Sequence, residues 1–176
     1  MKHRALFLDR DDTLVHDSGY MSDPTALRLI AGTGEALARL QAASLRLVVI
    51  SNQSGVARGL VTPDQVAAIQ QRLVQMLPEI QFDGFEYCFH HPDEDCGCRK
   101  PSPAMILRAA DRLQLDLSRS VMVGDKESDV AAGNAAGCWT VRLAPEAVDT
   151  RADHVAPDLT RAADWILQLG DRPKGR

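Results

Sequence analysis

The sequence lacks any long apolar run. No window approaches the roughly 18 consecutive apolar residues that a membrane-spanning helix requires, so a membrane span is not predicted. The apolar segment near the N-terminus gives way to charged residues within a few positions, which is unlike a signal peptide. We therefore expect a cytoplasmic protein with no membrane partner.

The sequence also lacks an excess of positive charge. It has 20 Lys and Arg against 24 Asp and Glu, which gives a formal net charge of -4. Proteins that bind a nucleic-acid backbone usually present a basic surface. We therefore predict no nucleic-acid partner, and a zinc-stabilised nucleic-acid binder is a disfavoured alternative.

Cysteines are few and unevenly placed. Three of the four lie in the segment "YCFHHPDEDCGCRKP" at 87–101. Cytosolic thiols stay reduced, so a metal site or a catalytic role is a better explanation for this cluster than a disulfide. Internal repeats and low-complexity segments are also missing, and the length predicts a single domain over 1–176, with a flexible tail at 170–176.

Short apolar runs alternate with amphipathic patterns along the chain. This alternation predicts an α/β fold, a three-layer, doubly wound, mostly parallel sheet with no inserted cap domain. A capping box at 62–65 and a glycine at 137 mark a helix start and a helix end. The predicted strands are 4–9, 46–51, 85–89, 120–125, 138–143 and an edge strand in 154–159, and the predicted helices are 33–43, 62–77, 103–114, 126–136 and 159–169.

Polar side chains follow the predicted strands at their carboxyl ends, where ligands bind in such sheets. Asp9, Asp11 and Asp125 would repel one another unless a cation joined them, and oxygen ligands suit magnesium. A carboxylate can attack phosphorus, and a second carboxylate can act as acid and base. The side chains nearby that suit a phosphoryl group are Ser51, Asn52, Lys100 and Lys126.

The cysteine segment has the donor set of a zinc site. Cys88 and His90 are two apart, as are Cys96 and Cys98, so each pair faces one way if the chain is extended. Four such ligands suit closed, structural zinc, although the spacing is not the common C-x-x-C pair. His91 is the rival ligand and should point to the other face.

Four motifs in this order resemble those of the haloacid dehalogenase superfamily: "LFLDRDDTL", "VVISNQSG", "CRKP" and "VGDKESD". Within it, the "GY" at 19–20, "NQSGVARG" at 52–59 and the cysteine loop resemble the histidinol-phosphate and heptose-bisphosphate phosphatase subfamily. The resemblance implies a magnesium-dependent phosphatase with structural zinc. It also implies removal of the 7-phosphate of a heptose bisphosphate in lipopolysaccharide precursor synthesis, and we expect a monomer.

The same resemblance implies roles for individual residues. Asp9 would be the nucleophile and a magnesium ligand, and Asp11 would be the general acid and base, with its carbonyl on the metal. Asp125 would be the third magnesium ligand, and Asp129 would brace Lys126 or a metal-bound water. Ser51 and Lys100 would hold the phosphoryl oxygens, and the residues expected to contact the substrate are Asp17, Gly19, Tyr20, Asn52, Gln53, Ser54, Arg99 and Lys126.

Asp12 departs from the superfamily pattern, which has glycine after the second aspartate. Glycine permits positive φ, and aspartate tolerates that region better than most residues, but it adds a negative charge near the metal. Two rival functions remain at this point. One is a histidinol-phosphate phosphatase, and the other is a receiver-like module in which a phosphorylated aspartate acts as a switch.

Overall fold

The computed structural model describes residues 2–175, and its strands form a parallel six-stranded sheet in the order β3-β2-β1-β4-β5-β6. The prediction of a mostly parallel α/β sheet is confirmed. The strands are β1 (Ala5–Leu8), β2 (Arg46–Asn52), β3 (Phe82–Cys88), β4 (Val121–Gly124), β5 (Trp139–Leu143) and β6 (His154–Ala156).

The helices agree with the predicted ones to within about one residue at each end. Thr62 closes a capping box with Gln65, and Gly137 ends its helix with φ 80°. The helices are α1 (Thr33–Ala42), α2 (Pro63–Met76), α3 (Ala104–Leu113), α4 (Glu127–Ala136) and α5 (Leu159–Leu169).

Three features of the secondary structure were not predicted. Two short 3-10 turns, at Pro24–Ala26 and Leu117–Arg119, lie in connecting segments. Strand β3 also begins three residues before the predicted start at 85. Its first part pairs with β2 across a register shift between Leu47 and Val48. This irregularity accommodates the polar residues there, which interrupt the apolar pattern and kept this part from being predicted as a strand.

The two faces of the sheet carry separate apolar clusters. In β1, Leu6 and Leu8 pack on the side of α1, α2 and α5, whereas Ala5 and Phe7 pack on the side of α3 and α4. This alternation follows from the two-residue period of a strand, and a strand buried on both faces is apolar throughout. The chain therefore forms the three layers that the sequence predicts.

The strand order reverses at β1. Strands β2 and β3 lie to one side of it and β4 to β6 to the other, so the carboxyl ends of β1, β2 and β4 meet at a topological switch point. Within residues 2–175, neither the connection from β1 to α1 nor that from β2 to α2 contains an inserted cap domain. None of the helices described here is long and apolar enough to cross a bilayer.

The C-terminal segment differs from the expected flexible tail. The Lys174 N–H donates to the Ser118 carbonyl at 2.7 Å, and the Trp139 indole N–H donates to the Arg172 carbonyl at 3.1 Å. Lys174 Nζ also contacts three oxygens, namely Asn134 Oδ1 at 2.7 Å, the Cys138 carbonyl at 2.8 Å and Asp153 Oδ2 at 2.6 Å. The composition predicted a flexible tail, whereas contacts with residues distant in sequence hold the segment in place through residue 174. Arg176 lies outside the described residues.

We predict that Lys174→Met lowers the free energy of unfolding by about 2 kcal/mol, since it removes charge-assisted hydrogen bonds at a largely buried ammonium. Urea unfolding followed by tryptophan fluorescence measures this change. Lys2→Met, at an exposed position, is the matched control and should shift the free energy by less than about 0.5 kcal/mol. Equal effects of the two variants would contradict a fixed C-terminal segment.

Candidate active site

A buried lysine joins two carboxylates at the switch point. Lys100 Nζ lies 2.6 Å from Asp9 Oδ1 and 2.6 Å from Asp129 Oδ1, and it donates to the Ile50 carbonyl at 2.7 Å. Asp9 follows β1, Lys100 comes from the loop after β3, and Asp129 lies in the first turn of α4. The three side chains are at most 8% exposed, so this ion-pair network is fully enclosed.

Burial shifts the protonation of this cluster. Removal from water raises the pKa of Asp9 to about 7 despite the opposing effect of Lys100. Burial opposes protonation of Lys100, but the carboxylates of Asp9 and Asp129 outweigh it and raise the pKa of the ammonium. Two carboxylates thus share one ammonium, so a further positive charge would stabilise their ionised forms.

Asp125 supplies a third carboxylate at the same place. Oxygen atoms of Asp9, Asp125 and Asp129 lie within 4.8 Å of one another, and Asp125 Oδ1 is buried with no hydrogen-bond partner among the described residues. Burial raises the pKa of Asp125. Unpartnered, crowded carboxylate oxygens are the donors that magnesium prefers, so the residues fit this ion.

Glycine is required at the end of β4. A β-carbon at Gly124 would collide with the carboxylate of Asp129, so only glycine lets α4 bring that carboxylate to the strand end. Asp129 Oδ2 also accepts the Lys126 backbone N–H at 3.0 Å. Asp129 therefore braces the side chain of Lys100 and only the backbone of Lys126, whereas the sequence suggested the Lys126 side chain or a metal-bound water.

The carboxylate of Asp11 has different hydrogen-bond partners from that of Asp9. Its carboxylate receives two hydrogen bonds from Arg10, at 2.9 and 3.0 Å, and one from Gln53 Nε2 at 2.8 Å. The same Gln53 nitrogen donates to Ser51 Oγ at 2.8 Å. The Asp11 carboxylate thus has its own hydrogen-bond partners and is not one of the three carboxylates that cluster within 4.8 Å.

Asn52 fixes the backbone at Lys100. Its side chain accepts the Lys100 N–H at 3.1 Å and donates to the Lys100 carbonyl at 3.2 Å. Both ends of the amide are thus occupied by the main chain. The structure gives Asn52 a positioning contact, in addition to the place on the cavity wall expected from the sequence.

A cavity of about 500 Å³ opens over these groups. Arg99 and Lys126 lie on its wall, and neither side chain makes a hydrogen bond or an ion pair within residues 2–175; Arg99 Nη1 is a buried unpartnered donor. Ser51 is 1% exposed and does not line it. The other expected residues that do line it are Asp9, Asp11, Asp17, Gly19, Tyr20, Asn52, Gln53, Ser54, Lys100 and Asp129.

The four zinc-ligand candidates converge in space. The Sγ atoms of Cys88, Cys96 and Cys98 are 3.4 to 3.8 Å apart, and His90 Nδ1 lies 3.6 Å from Cys88 Sγ and 3.3 Å from Cys98 Sγ. Sulfurs at 2.3 Å from a tetrahedral zinc ion would be about 3.8 Å apart, so the set fits zinc. All four cysteines are free thiols, and His91 points away to Asp93.

Sequence reasoning missed Arg10. It was given no role, although its guanidinium binds Asp11 and its side chain is only 2% exposed. The available signal was an arginine placed between two aspartates in the motif "LFLDRDDTL". Gly55 and Ser128 also line the cavity without having been singled out.

Comparisons with known proteins agree with this geometry. The HAD-hydrolase-like family model matches residues 97–162. A relative from Yersinia pestis, named D-glycero-beta-D-manno-heptose-1,7-bisphosphate 7-phosphatase, is 38% identical over 97% of this chain and 93% of its own length. A Vibrio cholerae protein of the same name is 41% identical over 80% of each chain.

A solved structure is similar over nearly the whole fold. It is D,D-heptose 1.7-bisphosphate phosphatase from B. bronchiseptica, complexed with magnesium and phosphate, with a TM-score of 0.84 and 32% sequence identity. The match covers 94% of this chain and 98% of that one. The agreement therefore extends from the motifs to the whole fold.

A parallel sheet with this strand-end aspartate and lysine arrangement defines a haloacid dehalogenase-type phosphatase, and the comparisons confirm that class. The resemblance found in the sequence is therefore confirmed. The chain belongs to the D-glycero-beta-D-manno-heptose-1,7-bisphosphate 7-phosphatase family.

The pKa of Asp9 leads to a pH-dependent prediction. In magnesium-free buffer the folded state keeps the Asp9 proton up to about pH 7, whereas an unfolded aspartate loses it near pH 3.8. Between pH 4 and pH 7 the folded wild type therefore binds more protons than the unfolded chain. Asp9 then lowers the free energy of unfolding as the pH rises across this range. Asp9→Asn cannot titrate, so its unfolding free energy relative to wild type should increase across the window.

The measurement is urea unfolding of both proteins at pH 5 and pH 8. Asp9→Asn should gain about 2 kcal/mol of unfolding free energy relative to wild type between the two pH values, less than the full shift implies because pH 5 already lies above the pKa of an unfolded aspartate. Asp149→Asn, an exposed aspartate, is the control. A difference that stays constant with pH would contradict a raised pKa at Asp9.

Proposed function

We propose that this phosphatase uses magnesium to remove the 7-phosphate of D-glycero-D-manno-heptose 1,7-bisphosphate, in heptose synthesis for lipopolysaccharide. The names of the Yersinia and Vibrio relatives support the substrate. The magnesium and phosphate bound by the Bordetella structure support the cofactor and the reacting group. The clustering of the Asp9 and Asp125 carboxylates, with one Asp125 oxygen left without a hydrogen-bond partner, is independent support.

The chemistry requires two carboxylates with different roles. A carboxylate oxygen of Asp9 attacks phosphorus, and the bond from phosphorus to the sugar oxygen breaks. Asp11 donates its proton to that leaving oxygen, which leaves an aspartyl-phosphate on Asp9 and a carboxylate on Asp11. Asp11 then takes a proton from water as that water attacks phosphorus, which releases phosphate and restores both side chains.

Lys100 has an electrostatic part in this reaction. It is already 2.6 Å from the nucleophile, so its charge is in place as negative charge gathers on the phosphoryl oxygens. Asn52 and Asp129 hold its two ends, so little reorganisation is needed. Ser51 Oγ accepts a hydrogen bond from Gln53 Nε2, so its own O–H is free to donate. Because Ser51 is buried and does not line the cavity, it would act as a second donor to those oxygens only if Gln53 moved aside.

Asp9, Asp125 and the backbone carbonyl of Asp11 are the groups that would hold magnesium. Bound there, the ion supplies positive charge that keeps Asp9 ionised and attracts the phosphoryl oxygens. The raised pKa of Asp9 and the unpartnered oxygen of Asp125 are the two observations that support this assignment.

The observation that carries the choice of substrate is the pair of unpaired cations, Arg99 and Lys126, in the same cavity as Asp9. A bisphosphate brings a second phosphate that these side chains can bind, and arginine suits its oxygens by two parallel hydrogen bonds. Histidinol phosphate has no second phosphate, and its ammonium group cannot pair with Arg99 or Lys126. The heptose bisphosphate is therefore favoured over histidinol phosphate.

The decisive assay compares phosphate release from both anomers of the heptose bisphosphate and from histidinol phosphate, with magnesium. We expect kcat/KM for at least one heptose bisphosphate anomer to exceed that for histidinol phosphate by about a hundred-fold or more, because two cations there discriminate between the ligands. Phosphorus NMR of the product should show the 1-phosphate retained. Preference for histidinol phosphate would contradict the substrate assignment.

Two variants support this assay. Asp9→Asn should lower kcat by about a thousand-fold or more, because an amide cannot attack phosphorus. Arg99→Gln should raise KM for the bisphosphate about ten-fold and leave KM for p-nitrophenyl phosphate nearly unchanged, since only the former has a second phosphate. Lasting phosphorylation of Asp9 without turnover would instead indicate the receiver-like switch.

We also propose that Cys88, His90, Cys96 and Cys98 bind one structural zinc ion. Four protein ligands leave no open position, so the ion does no chemistry. The segment between the ligands has little apolar contact of its own, and metal binding then contributes to its folding. Since Arg99 and Lys100 follow the last ligand directly, zinc would fix the position of both.

Cys96→Ser tests the zinc proposal. Wild type should hold about one zinc ion per chain, and the variant should hold less and show a higher KM or lower kcat because Arg99 and Lys100 lose their support. Zinc is measured by mass spectrometry. Cys138→Ala, which changes the one cysteine outside the cluster, should keep the metal. Loss of zinc with unchanged turnover and substrate dependence would contradict this role.

We further propose that residues 1–176 act as a single domain and as a monomer. The described part of one chain supplies every group named in the reaction, so a second copy is not required. Light scattering during gel filtration measures the mass, and 19 kDa is expected.

A further inference from the structure

Asp12 departs from the superfamily's glycine, and its side chain has a definite partner. Its backbone has φ 56°, in the left-handed region that aspartate tolerates, and its N–H donates to the Val15 carbonyl at 2.7 Å. Its Oδ1 accepts the backbone N–H of Asp17 at 2.9 Å. A glycine could adopt this backbone but could not make the second contact.

The contact continues one step further along the chain. Asp17 Oδ1 accepts the Gly19 N–H at 2.8 Å, and Gly19 has φ 82°. Two side-chain carboxylates thus hold two backbone amides of the 16–20 segment, those of Asp17 and Gly19. Short polar side chains that bind nearby amides in this way stabilise turns.

This segment forms one wall of the cavity over Asp9. Asp17, Gly19 and Tyr20 line the cavity, and the Tyr20 ring packs so closely on Gly55 that a β-carbon there would come within 2.7 Å of Tyr20 Cδ1. The five residues 16–20 are all exposed, and the ring of Tyr20 is 50% exposed. A segment with so little buried surface depends on its few hydrogen bonds for its position.

We propose that Asp12 is a positioning residue for substrate binding, which acts by holding the Asp17 N–H and so the wall that carries Gly19 and Tyr20. The proposal rests on the proposed function, since that wall would contact the sugar bisphosphate. The competing explanation is purely electrostatic: the Asp12 carboxylate also raises the pKa of Asp125, so its charge alone could act on the metal site.

Two substitutions separate the hydrogen bond from the charge. Asp12→Asn keeps the acceptor oxygen and the tolerance for positive φ but removes the charge. Asp12→Gly keeps only the backbone conformation. Asp149→Gly makes the same change at an exposed aspartate that has no hydrogen bond to the described residues, and it is the matched control.

Kinetics with the heptose bisphosphate and with p-nitrophenyl phosphate give the first readout. We expect Asp12→Gly to raise KM for the bisphosphate about five-fold with kcat nearly unchanged, the size expected from one lost hydrogen bond. KM for p-nitrophenyl phosphate should stay within about two-fold, since that substrate does not extend to the wall. Asp12→Asn and Asp149→Gly should behave as wild type.

Amide hydrogen exchange, followed residue by residue by NMR, gives a readout that does not depend on activity. The amides of Asp17 and Gly19 should exchange about five-fold faster in Asp12→Gly than in wild type, and Asp12→Asn should restore the slower rate. If wild type fails to hydrolyse the heptose bisphosphate, the proposed function fails, but the exchange rates still decide the role of Asp12.

Three results would overturn the proposal. Equal kinetic effects of Asp12→Asn and Asp12→Gly would assign the effect to charge. Unchanged exchange at Asp17 in Asp12→Gly would show that the side-chain contact does not hold the segment. An equal rise in KM for both substrates would place the effect at the reacting phosphate and not at the wall.

Discussion

The ammonium group of Lys100 connects three parts of the sheet edge that are far apart in sequence. It contacts the carboxylate of Asp9 after β1, the Ile50 carbonyl in β2 and the carboxylate of Asp129 in α4. These partners are negative or carry partial negative charge, so without the lysine they would repel one another in a buried place. The position of the site thus depends on an ion-pair network in which no member is free to move alone.

Three further features keep that lysine in place. Asn52 holds its backbone from one side, and the cysteine and histidine cluster ends two residues before it on the other. Gly124 lets α4 approach closely enough to present Asp129. The ammonium of Lys100 is therefore positioned jointly by the local backbone, by Gly124 and by the side-chain amide of Asn52. A charge held in place in this way is preorganised for phosphate.

Much of this arrangement was predictable from sequence. The apolar runs and capping signals located the strands and helices, and parallel topology brought Asp9, Lys100 and Asp125 to one edge. Contacts that depend on tertiary approach were not predictable. Arg10 received no role from the sequence, because its contact with Asp11 depends on the conformation of the turn that follows β1. The fixed position of Lys174 likewise depends on oxygens from three distant segments.

The exposed loops that bound the cavity have a consequence for the proposed aspartyl-phosphate. In a closed chamber, an acyl phosphate can be kept from solvent until a chosen acceptor arrives. Here the cavity is bounded by exposed loops such as 16–20, so bulk water at very high concentration is always the nearest acceptor. A cavity open to solvent therefore favours irreversible hydrolysis of the acyl phosphate over transfer of the phosphoryl group between sugars.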